Sequence, residues 1–263
     1  MTTRVHATAF VDRGAALAGD VEIGAYSIVG AHVVIGAGTV VGSHVVIEGH
    51  TRIGHNNRIH AFASIGGPPQ DKKYAGEPTR LDIGDNNTIR EYCTINTGTV
   101  QDQACTHVGA NNWIMAYVHI AHDCVIGNET ILANNSQLAG HVHIGDWAFL
   151  GGMTGVHQFV KVGAHAMTAG GTTLFQDLPP FVTASGYPAE ARGLNVEGLK
   201  RRGFDEARIN ALKRAYKSIY REGLTVAQAC AAIHAQIAEA PAAADDLRAL
   251  RDFIAGASRG IVR

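Results

Sequence analysis

Aromatic residues are scarce in this chain of 263 residues, which contains 17 of them, and proline is scarcer still, with seven. Because globular cores usually draw much of their buried area from aromatic rings, this chain must bury small aliphatic side chains in some regular way. Charge is also nearly balanced, at −1, with 46% hydrophobic residues. That composition excludes a disordered chain, and with no nucleic-acid-binding motif it argues against a nucleic-acid partner.

Cysteine is rare, and no stretch approaches the eighteen or so consecutive apolar residues that span a bilayer. The N-terminal segment lacks the apolar core of a signal peptide, so we expect a cytoplasmic protein with no membrane span. No two cysteines form a CxxC pair, which argues against a disulfide framework or a thiolate zinc site. Buried, reduced thiols are the simpler interpretation for Cys93, Cys105, Cys124 and Cys230.

Glycine and histidine are abundant instead, at 31 and 14 residues, and an aliphatic residue recurs every six positions. Six of the first ten such residues are followed directly by glycine. The pattern resumes at 83–95 and again at 108–162. Thr168 occupies the next position in place of an aliphatic residue, and the pattern returns at Leu174. The first ten are Val11, Leu17, Ile23, Val29, Ile35, Val41, Ile47, Ile53, Ile59 and Ile65.

A six-residue period fits neither an α-helix nor a hairpin meander, but it suits a parallel β-helix whose coils have three short sides. The sequence therefore predicts a mainly β fold over residues 1–188. Glycines and Asn-Asn pairs fall where the chain must turn a corner, since these residues adopt φ > 0 most easily. The pattern breaks at about 66–82 and 96–107, which we expect to be loops. Such breaks are typical functional sites, although loops that only pack on a neighbouring subunit are an equal alternative.

The six-residue pattern gives way to helical spacing over residues 189–263, which predicts a small α-helical C-terminal domain. Asp205 and Thr225 are suited to cap helices, and Leu247 begins the apolar face of a third helix. This segment carries a net charge of +4 against −5 for residues 1–188, so it could meet an acidic partner.

When the sequence is arranged with eighteen residues per coil, histidines that are distant in sequence fall close together. His122, Gly140 and Gln158 differ by eighteen and form one column, with His141 and His157 one position away from it. Adjacent coils lie about 5 Å apart, so three histidines should converge at one corner. Asp123 could orient the His122 imidazole, and the Gly140 N–H could stabilise an oxyanion.

This column is typical of a general base that activates a hydroxyl for attack on a carbonyl, without a covalent intermediate because no serine or cysteine accompanies it. Solvated surface histidines are the simpler interpretation of any one of them alone. A zinc prism of the γ-carbonic-anhydrase type is the main rival, and the spacing of His119 and His122 is compatible with it. The column and the basic C-terminal segment have no role in such an enzyme, so no metal is predicted.

Several motifs identify a resemblance that covers essentially the whole chain. HIAHDC at 119–124, LAGHV at 138–142, GGMTGVHQF at 151–159 and NVEGLKRRGF at 195–204 resemble the UDP-N-acetylglucosamine O-acyltransferases that begin lipid A synthesis. The resemblance implies a left-handed β-helix, a homotrimer with active sites between prisms, and no cofactor. It also implies transfer of an (R)-3-hydroxyacyl group from acyl carrier protein to the 3-hydroxyl of UDP-N-acetylglucosamine.

The resemblance also assigns roles to individual residues. His122 would be the base, with Asp123 orienting it and Gly140 as oxyanion donor. Gly170 would set the acyl length, and its lack of a side chain implies a long chain such as 3-hydroxymyristoyl. The remaining substrate-binding residues implied are Gln70, Asp71 and Lys73 for sugar and phosphate, His119, His141, Gly152, His157 and Gln158 for the sugar and acyl sites, and Asn195, Glu197, Arg201 and Arg202 for the nucleotide.

Two other functions remain open from the residues. A related hexapeptide N-acyltransferase would acylate an amine, but usually carries an additional N-terminal domain, whereas the repeat here has already begun at Val11. A non-catalytic β-helix scaffold would tolerate any residue at positions 122, 140 and 158.

Overall fold

The computed structural model describes residues 2–263, which form 28 short β-strands followed by four α-helices. Most strands have two residues, of which the second points inward and is buried, as expected from the alternation of side chains along a strand. The strands are β1 Arg4–Val5, β2 Phe10–Val11, β3 Ala16–Leu17, β4 Glu22–Ile23, β5 Ile28–Val29, β6 Val34–Ile35, β7 Val40–Val41, β8 Val46–Ile47, β9 His50–Ile53, β10 Arg58–Ile59, β11 Ser64–Gly67, β12 Arg80–Ile83, β13 Thr88–Ile89, β14 Thr94–Asn96, β15 Cys105–Val108, β16 Trp113–Ile114, β17 His119–Ile120, β18 Val125–Ile126, β19 Ile131–Leu132, β20 Gln137–Leu138, β21 His143–Ile144, β22 Phe149–Leu150, β23 Gly155–Val156, β24 Lys161–Val162, β25 Met167–Thr168, β26 Thr173–Leu174, β27 Val182–Ser185 and β28 Glu190–Leu194.

Every third strand belongs to the same sheet, so the chain winds around a three-sided prism. The eleven-strand face contains β1, β4 and every third strand to β25, followed by β27 and β28; the nine-strand face runs from β2 to β26 and the eight-strand face from β3 to β24. In the described strands all neighbours are parallel except β27 and β28. Regular coils advance by eighteen residues, as in the pairing of Ile114 with Leu132. The predicted parallel β-helix is confirmed.

The interior of the prism is aliphatic, with isoleucine, leucine and valine as its largest buried side chains. Thr168 occupies the missing aliphatic position and is fully buried, its hydroxyl hydrogen-bonded to the Gly151 N–H at 3.0 Å and to the Thr154 hydroxyl at 2.8 Å. Several of the few aromatic rings lie outside, stacked 4.8–5.1 Å apart along one corner: Tyr26, Phe62, Tyr92 and Tyr117, with His44 among them.

The corners explain the glycines and asparagines. Asn56, Asn86 and Asn111 take φ values of 56°, 58° and 59°, in the left-handed region where asparagine is favoured among residues with side chains. Each is followed by a buried asparagine that bonds the next coil: the Asn87 N–H donates to Asn57 Oδ1 and the Asn112 N–H to Asn87 Oδ1, both at 2.9 Å. At Gly24 the reason is close approach, since a Cβ there would lie 2.6 Å from the Gly42 backbone.

Two irregular segments interrupt the winding. Ile83 pairs with Ile53, 30 positions earlier, and with Val108, 25 positions later, where regular coils differ by 18. The extra residues lie at 68–79, between β11 and β12, and at 97–104, between β14 and β15. The first insertion preserves the six-residue phase and the second shifts it by one, which explains the slip in the sequence pattern.

The helices that follow are α1 Val196–Arg201, α2 Glu206–Tyr220, α3 Val226–Glu239 and α4 Ala244–Ala255, with a 3₁₀ turn at Pro241–Ala243. Both predicted caps are confirmed: Asp205 accepts from the Arg208 N–H at 2.8 Å, and Thr225 forms a capping box with Gln228. None of the described helices is long and apolar enough to cross a membrane. β28 extends the eleven-strand face past residue 188, the expected domain boundary.

Candidate active site

The corner that follows β17 places His122 beside Asp123. His122 Nδ1 lies 2.9 Å from Asp123 Oδ2, and the two residues are 8% and 0% exposed. Thr99 donates to the same carboxylate through its N–H, at 2.9 and 3.1 Å to the two oxygens, and through its hydroxyl, at 2.6 Å. An ionised carboxylate only accepts hydrogen bonds, so this arrangement keeps the proton on His122 Nδ1. Nε2 is then the nitrogen with a free lone pair, as a general base requires.

Gly140 lies directly against the His122 ring. A Cβ at position 140 would be 2.5 Å from His122 Cε1 and 2.6 Å from Nε2, so only glycine leaves the imidazole in place. Among the described residues, the Gly140 N–H donates to no protein acceptor. The structure therefore places a free backbone donor close to the proposed basic nitrogen, as the eighteen-residue spacing predicts.

His141 forms a second histidine–carboxylate pair on the next coil. Its Nδ1 lies 2.6 Å from Asp102 Oδ2 and 4.0 Å from Asp123 Oδ2. The His141 ring meets His122 edge-on at 5.0 Å and stacks on Phe159 at 4.4 Å. Two imidazoles and two carboxylates thus share one corner of the prism.

Atoms that could bind a metal lie within 4.8 Å of one another in this cluster, on His122, Asp123 and His141. Both imidazole Nδ1 atoms already have carboxylate partners, and Asp123 accepts from Thr99 as well. These hydrogen bonds leave Nε2 as the nitrogen of each imidazole that is open to a proton or a ligand.

An apolar groove of about 410 Å³ runs along the nine-strand face from this coil toward the end of the prism. His119 lies at one end, with its Nδ1 2.7 Å from the Thr94 hydroxyl. Burial, and secondarily the neighbouring His122, lower the pKa of His119, so its imidazole is neutral at neutral pH. The lining residues are His119, Gln137, Leu138, Ala139, Gly155, Val156, His157, Thr173 and Phe175.

His157 belongs to this groove rather than to the His122 cluster. Its ring lies 6.0 Å from that of Phe175, its Nδ1 is 3.1 Å from the Gln158 carbonyl oxygen, and within the described chain it contacts neither His122 nor His141. The expected convergence of three histidines therefore holds for two of them.

Gly152 and Gly170 stack at the corner that precedes the groove face. A Cβ at Gly170 would meet only the Gly152 carbonyl oxygen, at 3.5 Å, and a Cβ at Gly152 only that of Asn134, at 3.3 Å. Gly170 lies three residues before Thr173 of the groove lining. A side chain at position 170 would thus have room within this chain and would stand beside the groove.

The loop at 68–79 carries Gln70, Asp71 and Lys73 at the surface. Asp71 Oδ1 accepts from the Lys73 N–H at 2.9 Å and the Asp71 carbonyl from the Tyr74 N–H at 3.1 Å, so this segment is a turn. Gln70 and Lys73 make no side-chain hydrogen bond or ion pair within residues 2–263. Their side chains are available to a ligand but do not reach the His122 corner of the same chain.

The predicted nucleotide-binding residues at 195–202 have different environments. Asn195 is 7% exposed and caps α1, accepting from the Gly198 N–H at 3.2 Å and donating to the His165 carbonyl at 3.0 Å. Glu197 pairs with Lys200 at 3.6 Å. Arg202 lies over the Trp147 ring at 5.2 Å, and burial lowers the pKa of its guanidinium. Arg201 is exposed. None of these residues contacts the His122 cluster in the described chain.

Sequence reasoning missed Thr99, Asp102 and Thr106. Thr106 fixes the corner by accepting from the Asp123 N–H at 2.8 Å, while Thr99 and Asp102 lie in the segment at 97–104. The eighteen-residue arithmetic fails across that insertion, so no sequence signal placed Thr99 and Asp102 beside His122. Thr106 lies beyond the insertion, in the regular register of β15 with β18, so the same arithmetic could have found it. The break in the repeat, for which a functional site and a subunit-packing loop were equal alternatives, was the only indication for Thr99 and Asp102.

The fold and this corner together define a hexapeptide-repeat acyltransferase, and comparisons with known proteins agree. Family models match as "Udp N-acetylglucosamine O-acyltransferase; Domain 2" over residues 177–262 and "Bacterial transferase hexapeptide (six repeats)" over 2–37 and 105–140. The acyl-[acyl-carrier-protein]–UDP-N-acetylglucosamine O-acyltransferase of Thiobacillus denitrificans is 63% identical, covering 98% of this chain and 99% of the relative. That of Herminiimonas arsenicoxydans is 62% identical over the same shares.

A solved structure, LpxA from Acinetobacter baumannii, superposes with a TM-score of 0.94 at 48% identity and covers 98% of this chain and 99% of its own. The chain therefore belongs to the family of acyl-[acyl-carrier-protein]–UDP-N-acetylglucosamine O-acyltransferases. Its fold is accordingly the left-handed form of the parallel β-helix with a helical C-terminal region, as predicted.

Proposed function

We propose that this chain transfers an (R)-3-hydroxyacyl group from acyl carrier protein to the glucosamine 3-hydroxyl of UDP-N-acetylglucosamine, the first step of lipid A biosynthesis. The observation that carries the proposal is the buried His122–Asp123 pair lying over Gly140. The names of the relatives supply both substrates.

In the proposed mechanism His122 Nε2 removes the proton of the sugar 3-hydroxyl as its oxygen attacks the thioester carbonyl. A C–O bond forms, and the negative charge moves to the carbonyl oxygen, where the Gly140 N–H can donate. On collapse the C–S bond breaks, and the proton on His122 passes to the departing thiolate of the carrier protein. Asp123 stabilises the transient imidazolium, and its three hydrogen bonds from Thr99 hold it in place.

Direct transfer is favoured because the cysteine beside this site is not a suitable nucleophile. Cys124 is fully buried, and its thiol is directed to the Ala139 carbonyl at 3.2 Å. Burial raises the pKa of Cys124 to about 12, so the thiolate that attack would require is negligible at neutral pH.

The apolar groove between His119 and Phe175 is the proposed acyl site, since it begins on the coil of the base and offers mainly aliphatic and glycine surface. Gly170, open and beside the groove, fits a long chain such as 3-hydroxymyristoyl. His141, Gly152, His157 and Gln158 would complete the sugar and acyl sites, as the resemblance implies.

The sugar, phosphates and nucleotide are proposed to be bound by residues of the 68–79 loop and of the 195–202 segment: Gln70, Asp71, Lys73, Asn195, Glu197, Arg201 and Arg202. Within the described chain they make no hydrogen bond, ion pair or ring contact with His122, which supports a homotrimer in which neighbouring prisms complete the site. The exposed Lys213, Arg214 and Arg221 are proposed to meet the acidic carrier protein, whereas Arg208 is already engaged with Asp246 at 2.8 and 2.9 Å. We expect the enzyme in the cytoplasm.

The proposal is tested by incubating the purified protein with UDP-N-acetylglucosamine and 3-hydroxyacyl carrier proteins of several chain lengths. We expect a 3-O-acyl ester, identified by mass spectrometry and its lability to mild base. Absence of product with every donor would overturn the proposal. Acylation only of a 3-amino sugar nucleotide would indicate an N-acyltransferase. Equimolar zinc in the purified protein, with loss of activity when it is removed, would support the zinc-site hypothesis instead.

A further inference from the structure

Asp102 lies in the segment at 97–104, outside the repeating coils, yet its carboxylate reaches the active-site corner. Oδ2 is 2.6 Å from His141 Nδ1 across 39 positions of sequence. The His141 side chain is 11% exposed and that of Asp102 37%. The bond is therefore partly shielded from water, where a hydrogen bond to a charged group is stronger than on an open surface.

The His141 ring is fixed by contacts on several sides. It stacks on Phe159 with 14° between the planes, and it meets His122 at 89°. Its backbone N–H donates to the His122 carbonyl at 3.0 Å, which joins the two residues through the coil. Asp102 then determines which nitrogen carries the proton: the ionised carboxylate accepts only, so Nδ1 is the donor and Nε2 is left for a ligand.

One segment therefore controls both imidazoles. Thr99 donates to the carboxylate that orients His122, and Asp102, three residues later, accepts from His141. Two hydrogen bonds within the segment hold its turn: the Asp102 N–H and the Ala104 N–H donate to the Thr99 carbonyl at 3.2 and 3.0 Å.

We propose that Asp102 is a positioning residue that holds His141 as the Nδ1–H tautomer, with Nε2 directed at the substrates. The inference rests on the proposed function for its catalytic consequence, and on geometry alone for the hydrogen bond. Asp102 does not touch the reacting atoms itself; it acts through His141.

The test combines Asp102→Asn with a double-mutant cycle on His141. Asn at 102 keeps the size but can present an N–H to Nδ1 and so permits the other tautomer. We expect kcat/KM to fall about 10- to 100-fold, the range that misplacement of a site group produces, with an unchanged melting temperature. In a His141→Ala background the same substitution should change kcat/KM less than twofold, because the residue through which Asp102 acts is gone. Full additivity of the two losses would overturn the proposal.

A matched control is Glu91→Gln, which removes the carboxylate 3.5 Å from His60 Nδ1 on a different corner of the prism. It should leave kcat/KM unchanged. If Asp102→Asn melts far below wild type, Asp102→Glu replaces it in the cycle and should retain more than half of the activity, because it preserves the acceptor. A loss as large as that of Asp102→Asn would contradict a role for the carboxylate.

The tautomer itself is measurable without substrate by ¹⁵N NMR of labelled protein. His141 should show a protonated Nδ1 in wild type and a mixture of tautomers in Asp102→Asn. An Nε2–H tautomer in wild type would overturn the proposal even in an active enzyme. Conversely, an inactive wild-type protein would refute the proposed function while the NMR result still decided the pairing.

Discussion

Gly140→Ala adds one methyl group at the point where the backbone meets the proposed base. The new Cβ would lie 2.5 Å from His122 Cε1, 2.6 Å from Nε2 and 3.1 Å from Nδ1. Carbon atoms normally approach to about 3.5–4.0 Å, so the imidazole must move by roughly 1 Å. The backbone can accept alanine, since Gly140 is not among the described residues with positive φ.

That displacement should lower the rate of catalysis in a protein that still folds. A misplacement of about 1 Å can cost roughly 10²-fold in rate, which corresponds to about 2.7 kcal/mol of transition-state stabilisation. The stability cost has two sources: the His122–Asp123 hydrogen bond, whose net contribution is about 0.5–1.5 kcal/mol or up to about 3 for a charged pair, and the steric overlap of the new methyl group, at about 1–3 kcal/mol where the ring cannot move aside. We therefore expect a low kcat in a protein that still folds.

The assay measures kcat and KM for the sugar nucleotide together with the melting temperature. Gly19→Ala is the matched control, because Gly19 occupies the same place in its hexapeptide, two residues after Leu17, and a Cβ there meets nothing within 4 Å. The control should retain wild-type kinetics. A Gly140→Ala enzyme with wild-type kcat would refute the placement of His122 as the base over Gly140.

Three further outcomes are expected. Thr99→Val removes the 2.6 Å hydroxyl bond to the buried Asp123; kcat should fall about tenfold by loss of orientation and the free energy of unfolding by about 1–3 kcal/mol, whereas an unchanged kcat would exclude Thr99 from the site. Gly170→Met should shift donor preference to shorter acyl chains in competition assays, and an unchanged preference would remove Gly170 from the acyl site. Burial, with Arg202 secondarily, lowers the pKa of His165 to about 4. Below about pH 6.5 this histidine binds a proton in the unfolded chain but stays neutral in the folded chain, so the free energy of unfolding should decline between pH 6.5 and about 4. His165→Phe should make this decline shallower in thermal melts. An identical decline in the variant would contradict the assignment.

The repeat made much of the fold predictable, because each coil is a copy of the last and one inward aliphatic position every six residues specifies all three faces. The pairing of His122 with Gly140 followed from the same arithmetic. The contacts of His157 were harder to predict, because the spacing gives the coil on which a residue lies but not the direction of its side chain. His157 turns along the groove face toward Phe175.

Contacts made by the insertion could not be predicted. The segment at 97–104 belongs to no coil, so its path depends on tertiary contacts such as those of Thr99 with Asp123 and Asp102 with His141. Asn195 shows a second limit: its motif resembles a nucleotide-binding residue, while its buried amide also caps α1 and bonds the His165 carbonyl. A motif cannot separate these two uses of one side chain.

His122 is the residue on which the whole account depends, and the rate of 3-O-acyl product formation by His122→Ala beside wild type tests it most directly. A general base contributes about 10²- to 10⁴-fold, so we predict a loss of that size, with UDP-N-acetylglucosamine still bound and the melting temperature maintained. Product formation by His122→Ala at the wild-type rate would contradict the proposed mechanism.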